Sequence, residues 1–204
     1  MKDESIKQKI LECAKAEFME KGFADASMRT IAEKAGFTTG ILYSRFADKD
    51  EIFRGLVDDG ASELYDYFCF VQDEFASFEP ARQKAEMHDY VERKVDYMID
   101  IIYKHFDAFK LIICKSRGSS YESYVDKMVE IETRNTVRFI EVLRNMGISV
   151  NEVRADLNHM LASALFVGMF EIVAHDFPKE DAGIYVKQLQ EFFNAGWDKL
   201  LGLS

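Results

Sequence analysis

Apolar residues recur along most of this chain at spacings of three and four, the period of a helix with one buried side. The first stripe is Ile6, Ile10, Cys13, Ala14 and Phe18, opened by an S-x-x-Q capping box at Ser5 and Gln8 and stopped by Gly22. Two short patterns follow. Ser27 is an N-cap for a helix carrying Met28, Ile31, Ala32 and Ala35, with Gly36 as its left-handed end. Thr38 caps a second, in which Ile41, Leu42 and Phe46 are apolar contacts while Thr39, Tyr43 and Arg45 carry polar ends. Asp48 and Glu51 make a D-x-x-E box for a third, longer helix running past Phe53 and Leu56 towards Phe75, with Gly60 as its weak point.

Beyond it the spacing predicts helices over about 81–104, 106–115, 121–145, 150–174 and 179–201. Breaks fall at Gly118-Ser119-Ser120, Asn145-Met146-Gly147 and Asp176-Phe177-Pro178. Pro80 and Pro178 each precede a helical pattern, and Ser149 with Glu152 forms a further capping box. No segment alternates with period two. The predicted fold is all-α: an N-terminal three-helix helix-turn-helix DNA-binding domain over 1–50, with the start of a connecting helix, and a larger helical domain over 51–204.

With 48% hydrophobic residues in 204, the chain can bury a sizeable core. The longest apolar-rich stretch, Leu161 to Ala174, is interrupted by Ser163, Gly168 and Glu171, so no membrane span is expected. The start, MKDESIKQKI, lacks the pattern of a signal peptide, and a cytoplasmic location follows as an expectation. Cys13, Cys69 and Cys114 are too scattered for a zinc site or a disulfide framework and read as buried thiols; a redox switch at Cys69 or Cys114 is the other reading. His88, His105, His159 and His175 lack metal-ligand spacing, and neither a nucleophile–base pair nor a phosphate-cradling loop is visible. No cofactor and no enzymatic activity are expected.

The net charge of −10 speaks against nucleic acid until its distribution is considered. Residues 1–50 hold nine basic and nine acidic side chains, so the whole negative excess lies in 51–204. Within 27–49 four basic residues face two acidic ones. The acidic body repels DNA and leaves the N-terminal face to approach it.

The stretch from Ser27 to Phe53 resembles the N-terminal DNA-binding domain of the TetR family of transcriptional regulators. The residues that carry the resemblance are Arg29, Ile31-Ala32, then Ala35-Gly36-Phe37-Thr38-Thr39-Gly40-Ile41-Leu42-Tyr43-Ser44-Arg45-Phe46, and Lys49. About the first quarter of the chain carries the motif. The resemblance implies that Arg29, at the start of its helix, contacts DNA. The chemistry of the other positions agrees: Gly40 lets backbone approach the duplex, Thr38 and Thr39 can bond phosphates or base edges, and Arg45 offers a fork to guanine or phosphate. Tyr43 can reach phosphate with its hydroxyl. Lys49 opposes the dipole at the first position of its helix, and binding a DNA phosphate gives it a reason to be there.

One short recognition helix reads only a few base pairs, so a homodimer on a palindromic operator in double-stranded DNA is expected. The last two helices are the candidate interface, through Leu161, Ala164, Leu165, Gly168 and Ile172 on one and Leu189, Phe192, Phe193, Gly196, Trp197 and Leu200 on the other. The resemblance also implies a small-molecule pocket in the aromatic middle region. Candidate lining residues are Phe68, Tyr97, Ile101, Phe109, Ile113, Tyr124, Met128 and Phe166. Glu171, among apolar neighbours, either faces a cationic ligand, pairs with a basic residue across the dimer or lies on an exposed stripe. The expected protein is a TetR-like repressor released from its operator by a small apolar or amphipathic ligand. The alternatives are a ligand-requiring activator of the same fold and an all-helical enzyme using the aromatic cavity.

Overall fold

Local signals account for most helix boundaries in the computed structural model, which describes residues 2–203. Among these the chain forms α1 (Lys2–Asp25), α2 (Met28–Ala35), α3 (Thr39–Tyr43), α4 (Lys49–Ala76), α5 (Pro80–Lys104), α6 (Phe106–Lys115), α7 (Tyr124–Asn145), α8 (Ala155–Ala174) and α9 (Lys179–Leu201), and no strand. The all-α expectation is correct.

Ser27 Oγ accepts from the Thr30 amide at 3.4 Å and Thr38 Oγ1 from that of Ile41 at 3.3 Å, so both short helices are capped where expected. Gly36 closes α2 at φ 75°, and Gly22 breaks α1 at φ 78° and ψ 165°. Asp48 Oδ1 accepts from the Glu51 amide at 2.8 Å; the Glu51 carboxylate reaches one residue further back than a capping box requires, to the Ala47 amide at 2.5 Å.

Three boundaries differ from expectation. α1 begins at Lys2, with Asp3 and Glu4 favouring its first turn, so Ser5 is inside the helix and Gln8 bonds Glu12 instead. α4 passes through Gly60 without a break. The Ser149–Glu152 box does not form: the Asn151 amide is held by the Leu201 carbonyl at 3.0 Å and its side chain by that of Leu200 at 3.1 Å, and α8 starts only at Ala155.

The chain groups into two compact units. One comprises residues 1–62 and 105–124, with α6 packed on α1; its core includes Ile10, Phe18, Ile31, Leu42, Ile52, Phe53 and Leu111. Phe18, Phe23 and Phe53 form an aromatic cluster with centroids 5.3–5.8 Å apart. The other comprises 63–104 and 125–204, where α9 packs on α5 and α8 around Leu64, Val95, Ile102, Val129, Leu143, Ala162, Val173 and Val186.

Contrary to the reading of its sequence, α8 has the length and apolarity of a membrane span, with a mean hydropathy of 1.5 over 18 residues. Only 39% of that window is buried within the chain. Ala162, Phe166, Met169, Phe170, Ile172 and Val173 face inward, whereas Leu157, Met160, Ala164 and Val167 are exposed at a spacing of three and four.

Candidate nucleic-acid interface and effector cavity

α2 and α3 pack against each other with Ile31, Ala32, Ala35 and Leu42 inward and Phe46 buried just beyond. The outer side is thereby left to Arg29, Thr38, Thr39, Gly40 and Tyr43, all exposed. Tyr43 keeps about half its surface open, at 54%, and space is open around Gly40 apart from the Thr38 hydroxyl. Ile41, expected to be an apolar contact, is instead 37% exposed beside Tyr43. Ser44, not singled out by sequence, is exposed on the same helix end and donates to the Ile41 carbonyl at 2.7 Å.

The basic side chains of this face are held in place by partners. Arg29 pairs with Glu33 at 2.8 Å, Arg45 with Asp3. Lys34 reaches the buried Glu17 at 2.7 Å. Hydrogen bonds from Lys21 and Lys34 hold the Glu17 carboxyl below its usual range despite burial.

Lys49 has a partner the sequence did not foresee. Its ammonium donates to the Ala24 and Ala26 carbonyls at 3.0 and 3.1 Å and lies 4.6 Å from the centre of the Phe23 ring. The charge that opposes the dipole of α4 thus ties off the end of α1.

The second unit contains a cavity of about 350 Å³. Its wall is apolar and aromatic, built by Phe68 and Phe75 of α4, Tyr90 of α5, Phe139 of α7, Phe166 of α8 and Trp197 of α9. Of the nine pocket candidates, only Phe68 and Phe166 line it. Tyr97 is half-exposed against Tyr67, and Ile101 and Met128 are core. Phe109, Ile113 and Tyr124 belong to the first unit. Glu171 pairs with His175 at 2.7 Å, one turn along α8, away from the lining. A helical stripe tells which residues face inward, not whether they meet a void or a neighbour.

Sequence also missed the polar groups of the wall. Gln72 Nε2 donates to Glu132 at 2.6 Å, Asn135 Nδ2 to Gln72 at 3.0 Å. Burial pushes the Glu132 carboxyl above its ordinary range, the Gln72 bond opposing. Burial likewise raises the Cys69 thiol, which disfavours its thiolate.

The expected interface residues divide as well. Ala164 and Phe192 are exposed, the latter at 73%. Leu161 and Phe193 are half-buried, and Leu165 and Trp197 line the cavity. Ile172 is buried in the chain's own core. Gly168 faces Leu189 across the α8–α9 contact, where an added Cβ would lie 3.0 Å from a Leu189 methyl. Gly168 and Leu189 therefore meet within the chain's own α8–α9 contact.

A capped α2, a tight turn and a short α3 presenting hydroxyls and an open glycine define a helix-turn-helix reader of DNA. Residues 10–56 match the family described as bacterial regulatory proteins, tetR family. The N-terminal part of the chain is thus similar to the DNA-binding domain of TetR-family transcriptional regulators. It is 21% identical to the transcriptional regulator UidR of Escherichia coli K12 over 173 residues, 85% of this chain and 82% of UidR. It is 41% identical to the transcriptional repressor KstR2 of Mycobacterium tuberculosis H37Rv over 58 residues, 26% of this chain and 29% of the repressor. A solved TetR-like regulator from Rhodococcus sp. RHA1 shares the fold at a TM-score of 0.58 and 18% identity, over 94% of this chain and 96% of that one.

Proposed function

We propose that the chain acts in the cytoplasm as a homodimeric repressor, its two α3 helices reading a palindromic operator, and that a small apolar or amphipathic molecule in the cavity weakens that binding. The observation that carries the reading is the apolar cavity of about 350 Å³, within the size range of small-molecule sites. Phe68, Val71, Gln72, Phe75 and Ala76 of its wall lie on α4, the helix that follows the reading head in the chain. A ligand that favours one setting of α4 needs only about 2.7 kcal/mol of differential binding for a hundredfold loss of operator affinity. KstR2, described as a repressor, supports the sign of regulation. Thr38, Thr39, Gly40 and Tyr43 serve base and backbone contacts in this reading, Arg29 and Arg45 phosphates.

Fluorescence anisotropy on DNA from upstream of the chain's own gene tests it. Two phosphates per subunit predict a slope of log affinity on log salt near about −4, and about −5 if Lys49 adds a third. Lys49→Ala is expected to lower thermal stability and affinity while leaving the slope unchanged. Tyr43→Ala and Arg45→Ala binding the operator as well as the parent would overturn the assignment of α3.

A further inference from the structure

The cavity wall is out of balance. Two of its basic groups have carboxylate partners, Lys94 with Glu74 at 2.8 Å and His88 with Asp198 at 3.1 Å, while the exposed Arg138 donates to the neutral Asn135 amide oxygen at 3.3 Å. Two of its acceptors are less well served. Glu132 receives one hydrogen bond, from Gln72, and no basic side chain forms an ion pair with it among the described residues. Gln190, more than nine-tenths buried in the same wall, has a side-chain oxygen with no hydrogen-bond partner. A half-buried carboxyl with a single donor and a buried amide oxygen with none cost free energy until something supplies them.

We propose that the cavity is built for a cationic amphiphile, a protonated amine on an apolar body, whose ammonium hydrogens are accepted by Glu132 and whose body lies among Phe68, Phe75, Phe139, Phe166 and Trp197. The inference rests on the effector reading above and narrows its ligand class. Ammonium supplies what the wall lacks, positive charge and donors in one group, and aromatic faces attract cations. Burial raises the Glu132 carboxyl, opposed by the Gln72 hydrogen bond. The net charge of −10 draws cations towards the protein before contact.

Isothermal titration of the full chain with decylamine, decanol and decanoate isolates the head group at constant tail. Decylamine is expected to bind about tenfold or more tightly than either other probe, an advantage that largely vanishes in Glu132→Gln, whose folding is checked by its thermal melt. Equal or tighter binding of decanol or decanoate to the unaltered protein overturns the proposal, as does an undiminished amine preference in a folded Glu132→Gln. DNA release measured in parallel separates the two readings. Selective decylamine binding that leaves operator affinity unchanged refutes the effector role and upholds the cavity chemistry. Release by decanoate with no binding of decylamine refutes the chemistry and upholds the effector role.

Discussion

Glu17 has no exposed surface, yet it carries a charge held by Lys21 and Lys34, each at 2.7 Å. The pair with Lys34 joins α1 to α2, so a carboxylate inside the reading head fixes the helix that precedes the turn. Glu17→Gln is expected to destabilise this unit by about 1–2 kcal/mol, between exposed and buried pairs because both lysines are partly open to water. Its folded pKa is lowered, so the stabilisation is present above the unfolded value near 4.5 and is lost as pH falls through the folded one. The difference in melting temperature between parent and variant should therefore be full at neutral pH and shrink on acidification below about 4.5. The caps Ser27, Thr38 and Asp48 were legible in sequence because each acts within three residues. Lys49 was not, since its carbonyl partners lie 23 and 25 residues away.

Apart from the start of α1, where Asp3 and Glu4 extend the helix past Ser5, the boundaries misread are those that a distant residue decides. Gly60 signals a weak point by propensity, but α4 needs it for close approach. An added Cβ there would lie 2.6 Å from the Cβ of His105, at the entry to α6. Gly60→Ala should accordingly cost about 1–3 kcal/mol in urea unfolding, the opposite of what helix propensity alone predicts. The failed box at Ser149 has a similar origin: carbonyls at the end of α9 hold Asn151 in a non-helical loop. The segment 105–124, assigned by sequence to the C-terminal domain, groups with the N-terminal helices, and Lys15 meets Asp107 at 2.8 Å.

For the whole molecule the central fact is apolar surface without cover. Leu157, Met160, Ala164 and Val167 line one side of α8, and on α9 Ile184 and Phe192 are 62% and 73% exposed. If the chain reads palindromic DNA as the proposed dimer, a second copy of the same surface is the occupant expected. Val167→Arg and Phe192→Arg should each shift the protein towards monomer in analytical ultracentrifugation, while its helical circular dichroism is retained. Operator affinity should fall with them, because a single reading head loses the second half-site.

Sequence alone determined the helical class, the reading head and its caps, and the segregation of negative charge into residues 51–204. Each depends on short-range spacing or on a simple count, so no third dimension was needed. Tertiary structure decided which side of each apolar stripe meets its own chain: Ile172 is core, Gly168 makes room for Leu189, and Leu165 and Trp197 border a void. It also brought Glu132, Gln72 and Gln190 from three helices into one wall. A helical period records that a residue turns inward, but a cavity depends on what the opposing helices leave unfilled, and that is set by packing between residues far apart in the chain.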